Sequence, residues 1–135
     1  MKIVVDTYAW IELLIGSEKG ARIKEILQNA EKVCTPSTVL AEVARKFLRE
    51  SIKEETIVLW LETITDASEI IQIDLAIALE AAKSQILLSE KAKNAKQNTP
   101  SLFDAMVHAT AKINQCKILT GDQHFKDLPE TIWVN

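Results

Sequence analysis

The 135-residue sequence predicts a single α/β domain, a three-layer sandwich of helices around a parallel sheet of about five strands. Short runs of β-branched residues alternate with longer segments of helical periodicity along the chain. Strands separated by helices run parallel, with right-handed crossovers. The 3 glycines and 3 prolines are few, which favours long helices and short loops. No repeat or linker divides the chain, so residues 1–135 are expected to form one domain.

The expected elements follow in order from local signals. Five short apolar runs predict strands at 2–5, 32–36, 69–73, 116–120 and 131–134. Helical spacing predicts helices at 7–16, 17–30, 36–51, 53–65, 75–90 and 101–114. Ser17 and Asp74 are expected to cap the second and fifth helices. The polar stretch 91–100 is expected to be a loop, and the sixth helix, apolar nearly all round, is expected to be central.

Charge and hydropathy narrow the class of protein. The formal net charge is −3 and the isoelectric point is about 5.4, which argues against a generic nucleic-acid binder. No apolar stretch approaches the roughly 20 residues that span a bilayer. Asp6 and Glu12 interrupt any apolar core of a signal peptide. A cytoplasmic protein without a membrane segment is therefore expected.

Four acidic residues fall at places where a parallel sheet would bring them together. Asp6 follows the first strand directly, and Asp122 follows the fourth. Asp104 lies in the first turn of the helix leading into the fourth strand, and Glu42 lies about one and a half turns into the helix after the second. If the first and fourth strands are neighbours, all four carboxylates share the carboxyl edge of the sheet, where such sheets bind ligands.

Such a cluster suits a divalent cation. Carboxylates this close repel one another, and a bound cation relieves the repulsion. An all-oxygen set fits Mg²⁺ or Mn²⁺ better than Zn²⁺ or Cu²⁺. One or two such ions can activate a water and stabilise the leaving oxygen in phosphodiester hydrolysis.

Each acid also has a purely structural alternative. Asp6 could cap the following helix, and Asp104 could belong to a capping box. Asp122 could close an Asx-turn, and Glu42 precedes a lysine by four residues, a favourable surface pair. For each acid taken alone, the structural alternative is favoured over a functional role. Four independent coincidences at one edge of the sheet are not favoured, so we prefer the interpretation in which the four acids form one functional site.

Four stretches together resemble the PIN domain family, and most of all its VapC-type toxin ribonucleases of toxin–antitoxin pairs. They are VVDTYAWIE, TPSTVLAEV, SLFDAMVHATA and KILTGDQHF, in family order across essentially the whole chain. The resemblance implies strand order 3-2-1-4-5 and a Mg²⁺- or Mn²⁺-dependent endoribonuclease. It implies a catalytic, metal-binding quartet of Asp6, Glu42, Asp104 and Asp122. Thr120 and Thr7 match hydroxyl positions that would orient a carboxylate or a water.

Two positions depart from the family pattern. His108 stands where a small or apolar residue is expected; it could hydrogen-bond Asp104, although a histidine satisfied elsewhere is preferred. Gly121 stands where the family often has a longer, sometimes basic residue, which could remove a substrate contact. In the implied order one strand separates Cys34 from Cys116, so both are expected to be free, buried thiols.

Partners follow from the resemblance and from local charge. Lys46, Arg49 and Lys53 lie beside Glu42 and could track an RNA backbone, or form an ordinary solvated face. A second basic stretch at 91–96 could also contact RNA, but it is more typical of a polar loop or a frayed helix end. The helix after Asp6, with Trp10, could contribute to a homodimer, hold an antitoxin or belong to the core. An antitoxin would be expected to offer arginine to the acidic pocket.

Other classes of function fit less well. A phosphoacceptor receiver domain would need a further aspartate after the central strand, and a haloacid-dehalogenase-type site needs Asp-x-Asp, which DTY lacks. The main alternative is a non-catalytic PIN-like module for RNA binding or assembly. Such members usually lose acids, whereas all four are present here.

Overall fold

The computed structural model describes all 135 residues and contains one five-stranded sheet. The strands are β1 (Lys2–Val5), β2 (Lys32–Pro36), β3 (Glu69–Ile71), β4 (Lys117–Thr120) and β5 (Thr131–Trp133). Their order is β3-β2-β1-β4-β5, and every neighbouring pair is parallel. The predicted sheet and its order are confirmed, with β1 and β4 adjacent at the centre.

Six helices connect the strands. They are α1 (Thr7–Leu14), α2 (Glu18–Gln28), α3 (Ser37–Arg49), α4 (Glu54–Ala67), α5 (Leu75–Asn94) and α6 (Leu102–Ile113). The predicted caps are present, because Ser17 accepts from the Gly20 N–H and Asp74 accepts from the Ile77 N–H. None of the helices is long and apolar enough to cross a membrane.

The end of α5 differs from the prediction. The polar stretch 91–100 was expected to be a loop or a frayed helix end, but α5 continues as regular helix to Asn94. Polar composition concealed this last turn, in which Ala92 is buried against the rest of the protein. Lys91 and Lys93 also interact favourably with the negative end of the helix dipole there.

The layers follow from the direction in which the chain moves across the sheet. It passes from β1 to β2 to β3 through α1–α4, and returns to β4 through α5 and α6. Right-handed crossovers therefore place α1–α4 on one face and α5–α6 on the other. Helix α6 packs against β1, β2 and β4, and α5 packs along α6. The reversal of direction leaves a crevice at the carboxyl ends of β1 and β4.

Trp10 belongs to the core rather than to a partner surface. Its side chain is fully buried, and its indole Nε1–H donates to Thr35 Oγ1 at 3.0 Å. The Thr35 hydroxyl in turn lies 2.7 Å from Ser68 Oγ. This buried network joins α1, β2 and the end of α4, so the indole both fills the core and satisfies a buried hydroxyl.

The two cysteines are free and buried, as expected, with β1 between the strand of Cys34 and the strand that follows Cys116. Burial raises the pKa of Cys34 to about 11, and it also raises the pKa of Cys116. Both side chains therefore behave as small apolar thiols rather than reactive thiolates.

Gly20 fixes the close approach of α2 to α1, and Gly20→Ala is expected to destabilise the fold. A Cβ at this position would lie 2.2 Å from the carbonyl oxygen of Glu12, which is backbone and cannot rotate away. The helices would have to separate, at a cost of about 1–3 kcal/mol in the free energy of unfolding. Urea denaturation measures this loss. The control is Ala21→Ser at the exposed neighbouring position, which is expected to change the free energy of unfolding by less than about 0.5 kcal/mol. A Gly20→Ala variant with an unchanged urea denaturation midpoint would contradict the packing argument.

Candidate functional site

A cavity of about 380 Å³ opens at the carboxyl edge of β1 and β4. Its lining includes all four acids that the sequence singled out: Asp6, Glu42, Asp104 and Asp122. They arrive from different parts of the chain, namely the end of β1, helix α3, the first turn of α6 and the turn after β4. The structure therefore brings together the residues whose convergence depended on the strand order.

Asp6 is the most deeply placed of the four, with 5% of its surface exposed. Its Oδ1 accepts the Ala9 N–H at 2.9 Å and so caps α1, and its Oδ2 accepts the Thr120 hydroxyl. Burial raises its pKa to about 7, against the opposing effect of these hydrogen bonds, and the charges of Asp122 and Asp104 add to the rise. Asp6 is thus both the cap of α1 and a member of the acidic cavity, and the capping hydrogen bond fixes the orientation of its carboxylate.

Thr120 links the two central strand ends. Its hydroxyl donates to Asp6, and its Oγ1 accepts the backbone N–H of Asp122 at 2.9 Å. Because Val5 pairs with Leu119 in the sheet, Thr120 stands directly beside Asp6. The hydroxyl expected to orient a carboxylate is therefore placed to do so.

Asp104 forms the expected capping box with Ser101 and also lines the cavity. The Asp104 N–H donates to Ser101 Oγ at 3.1 Å, and the Ser101 N–H donates to Asp104 Oδ2 at 2.9 Å. Burial raises the pKa of this carboxyl, and the charge of Asp122 adds to the effect.

Glu42 is held by the other hydroxyl that the sequence indicated. The Thr7 hydroxyl donates to Glu42 Oε1 at 2.9 Å. The surface pair with Lys46 is not formed, since Lys46 Nζ lies 2.6 Å from Glu50 Oε1 instead. Burial raises the pKa of Glu42, and the nearby charges of Asp104 and Asp122 reinforce the rise.

The residues present fit a divalent cation. Four carboxylates share one cavity, where burial, reinforced by the charges of neighbouring acids, raises the pKa values of Asp6, Glu42 and Asp104. The one lysine in the cavity lining is already paired with Glu50. Oxygen ligands without a thiolate are the set that Mg²⁺ and Mn²⁺ prefer.

The two departures from the family pattern have structural explanations. His108 is buried, and its Nε2 lies 2.7 Å from Glu130 Oε1 and makes no bond to Asp104. The expectation of a histidine satisfied elsewhere therefore holds for Nε2 only, since Nδ1 is buried without a hydrogen-bond partner. Gly121 lies against the Tyr8 ring, and a Cβ there would be 2.3 Å from Tyr8 Cε1. Tyr8 also lines the cavity, so the missing side chain at 121 leaves room for an aromatic wall.

His124 is the polar residue that sequence reasoning missed. Its Nδ1 lies 2.9 Å from Asp122 Oδ1 and 3.9 Å from Asp104 Oδ2, and its Nε2 lies 2.7 Å from the backbone carbonyl of Asn98. The ligand atoms of Asp104, Asp122 and His124 all fall within 4.8 Å of one another. The sequence feature that could have indicated His124 is its spacing, since it follows Asp122, the last of the four acids, by two residues in GDQHF.

A basic surface adjoins the acidic cavity. A smaller cavity of about 260 Å³ shares Thr7 and Glu42 with the first and is also lined by Arg45, Lys46 and Arg49. Two of the three cations expected near Glu42 therefore lie there, together with Arg45, which had not been considered. Lys53 lies at the start of α4 and lines neither cavity.

Comparisons with known proteins agree with this architecture. The family model for the PIN domain matches residues 3–131. No curated protein sequence gives a significant match. Among solved structures, VapBC2 from Rickettsia felis, bound to a DNA fragment from its promoter, superposes with a TM-score of 0.75 at 19% identity, covering 98% of this chain and 97% of that one.

Two further structures share the fold. A Mycobacterium tuberculosis VapC toxin, described as cleaving the sarcin–ricin loop, gives a TM-score of 0.73 at 17% identity and covers 95% of each chain. A toxin–antitoxin complex from Klebsiella pneumoniae gives 0.69 at 18% identity, covering 99% of this chain and 98% of that one. With the family model spanning nearly the whole sequence, the chain belongs to the PIN domain family.

Proposed function

We propose that the protein is a metal-dependent endoribonuclease, the toxin of a VapBC-type toxin–antitoxin pair. The observation that carries the proposal is the convergence of Asp6, Glu42, Asp104 and Asp122 in one cavity at the β1–β4 edge. The similarity to VapC structures supports the toxin assignment. Charge compensation by Mg²⁺ or Mn²⁺ accounts for one buried and three partly exposed acids, none of which pairs with a lysine or arginine.

The roles of the residues follow from their contacts. Asp6, Asp104 and Asp122 would hold the cation, which when bound activates water and neutralises charge on the phosphate. Thr120 and the Ala9 N–H keep Asp6 in one orientation, and the capping box does the same for Asp104. Glu42, with its raised pKa and its hydrogen bond from Thr7, is suited to exchanging a proton near the reacting phosphate.

Cleavage of a defined panel of structured RNAs tests this function. The purified protein is incubated with transfer, ribosomal and messenger RNA fragments in Mg²⁺, in Mn²⁺ or in EDTA. Cleavage that requires the metal and is lost in EDTA is expected. Metal-independent cleavage would contradict the mechanism, and binding without cleavage would favour the alternative of a non-catalytic PIN-like module.

The basic surface of Arg45, Lys46 and Arg49 is proposed to hold the RNA backbone as it enters the cavity. It opens beside Glu42 and shares two lining residues with the acidic cavity. Arg45 and Arg49 are exposed, and Lys46 is already engaged by Glu50. The two arginines are therefore the side chains best able to contact phosphates.

The double variant Arg45→Ala/Arg49→Ala is expected to weaken RNA binding uniformly across sequences. Loss of two phosphate contacts should reduce the slope of log K against log[salt] by roughly 1.4 for single-stranded RNA. Fluorescence anisotropy in EDTA measures binding without cleavage. Arg22→Ala, an exposed arginine of α2 outside both cavities, is the matched control; an unchanged salt slope in the double variant would place the RNA elsewhere.

An antitoxin is the proposed protein partner. The Rickettsia felis and Klebsiella pneumoniae structures are toxin–antitoxin complexes of the same fold. An arginine offered by such a partner would meet uncompensated carboxylates in the cavity and exclude the metal. A short neighbouring reading frame whose product co-purifies with this chain and suppresses cleavage would support the assignment; a protein encoded without such a neighbour would weaken it.

A homodimer is also proposed, because one chain leaves large apolar side chains in water. Leu75, Leu79, Ile86 and Leu87 of α5 are each more than half exposed. Burial of such a stripe in a second copy would remove this surface from solvent. Light scattering of the purified chain distinguishes a dimer from a monomer.

A further inference from the structure

His124 has no role in the quartet, yet its ring lies against two of the acids. Nδ1 is 2.9 Å from Asp122 Oδ1 and 3.9 Å from Asp104 Oδ2. The side chain is about one-fifth exposed and lies beside the acidic cavity without lining it. The arrangement is anchored from the other side, because Nε2 faces the Asn98 carbonyl oxygen at 2.7 Å.

The anchor determines which ring nitrogen is free. A carbonyl oxygen can only accept, so Nε2 carries the proton of this hydrogen bond. The Nδ1 lone pair of the neutral ring then points at the carboxylate oxygens of Asp122 and Asp104. Lone pairs facing one another at this distance require a cation or a proton between them. A histidine whose far nitrogen donates to a backbone carbonyl is the usual arrangement of a metal ligand.

The distances agree with ligation. Two ligands on adjacent corners of an octahedral cation with bonds of about 2.1 Å are about 3 Å apart, and opposite ligands about 4.2 Å. The 2.9 Å separation of Nδ1 from Asp122 Oδ1 is close to that of adjacent corners, and its 3.9 Å separation from Asp104 Oδ2 approaches that of opposite corners. Each carboxylate oxygen has one further donor, the His124 N–H for Asp122 and the Ser101 N–H for Asp104, which keeps it in place.

We infer that His124 supplies a nitrogen ligand to the metal held by Asp104 and Asp122, and that this nitrogen shifts the site from Mg²⁺ toward Mn²⁺. Carboxylate ligands alone give no strong preference for Mn²⁺ over Mg²⁺. An imidazole nitrogen adds affinity for the transition metal. The inference rests on the metal site of the proposed function. It adds to that site a ligand outside the four acids.

Two substitutions separate ligation from mere positioning. His124→Gln places an amide N–H near Nε2, so it can keep the bond to Asn98 while removing the nitrogen that faces Asp122. His124→Asn places an amide near Nδ1 and loses the bond to Asn98. A ligand role predicts that His124→Gln weakens Mn²⁺ binding by about 10–100-fold with a smaller effect on Mg²⁺. A role limited to positioning Asp122 through its Nδ1 contact predicts instead that His124→Gln weakens the binding of both metals to the same extent.

The deciding experiment is pulsed electron paramagnetic resonance of the Mn²⁺-loaded full chain, with Mn²⁺ affinity measured by titration. The chain has 2 histidines, so His108→Gln is the matched control. We expect ¹⁴N coupling to Mn²⁺ in the wild-type protein and in His108→Gln. We expect this coupling to be lost in His124→Gln. Absence of ¹⁴N coupling in the wild-type protein overturns the inference. This outcome is measured on the wild-type chain and does not depend on the folding of any variant. Nitrogen-coupled Mn²⁺ in a protein that cuts no RNA would refute the proposed function alone.

Discussion

Asp104→Asn is expected to reduce RNA cleavage by at least about 100-fold while the protein stays folded. The asparagine Oδ1 can still accept the Ser101 N–H, so the capping box that starts α6 is kept. What is lost is one negative charge in the cavity that is proposed to hold the cation. The effect should therefore appear as a loss of catalysis and of metal affinity. The thermal unfolding midpoint of the metal-free protein should not fall, because burial and the charge of Asp122 already disfavour the ionised carboxyl.

The matched control is Asp66→Asn, which removes the same charge from an exposed position of α4 far from the cavity lining. Its cleavage rate is expected to equal that of wild type. We compare the initial cleavage rates of the wild type and the two variants on one labelled RNA, at the same protein and metal concentrations. An Asp104→Asn variant that cleaves as fast as Asp66→Asn would refute the catalytic role of this acid.

The metal-free protein is expected to lose stability as the pH rises from about 4 to about 7. Burial raises the pKa of Asp6 from 3.8 in the unfolded chain to about 7 in the folded protein, so the folded state binds the proton more tightly. Stability is therefore greatest below the unfolded pKa and falls until the carboxyl ionises in the folded state as well. The shift corresponds to a loss on the order of 4 kcal/mol.

Unfolding in EDTA at several pH values measures this dependence, with Asp6→Asn as the comparison. The variant keeps an oxygen for the Ala9 N–H and has no carboxyl to ionise, so its stability should vary less with pH and exceed that of wild type at pH 8. Addition of Mn²⁺ at pH 8 should restore wild-type stability, because the cation compensates the ionised carboxylate. A wild-type protein whose stability rises between pH 4 and 7 in EDTA would contradict the burial argument.

The acids of the site could be predicted because their signals are local and their geometry is set by the sheet. Asp6 and Asp122 each end a strand, and parallel neighbours bring strand ends to one edge. The structural and functional interpretations of Asp6 and Asp104 turned out not to compete: each caps its helix with one oxygen and still faces the cavity. Glu42 differs, because its expected lysine partner is engaged elsewhere.

What sequence reasoning missed depends on contacts between distant segments. The role of Gly121 comes from the Tyr8 ring more than a hundred residues earlier, and the orientation of His124 comes from the carbonyl of Asn98. The last turn of α5 was mistaken for a loop because its polar composition hid the burial of Ala92. Periodicity within one segment carries no information about such partners.

We propose that Asp6, Asp104 and Asp122 hold one metal site at the β1–β4 edge, with Glu42 beside it. Anomalous diffraction at the manganese edge from crystals of the full chain grown with Mn²⁺ tests it most directly. We expect a strong anomalous peak within bonding distance of carboxylate oxygens of Asp6, Asp104 and Asp122, at a Mn²⁺ concentration that supports cleavage. An acidic cavity without a peak at that concentration, or a peak at another place on the chain alone, would contradict it.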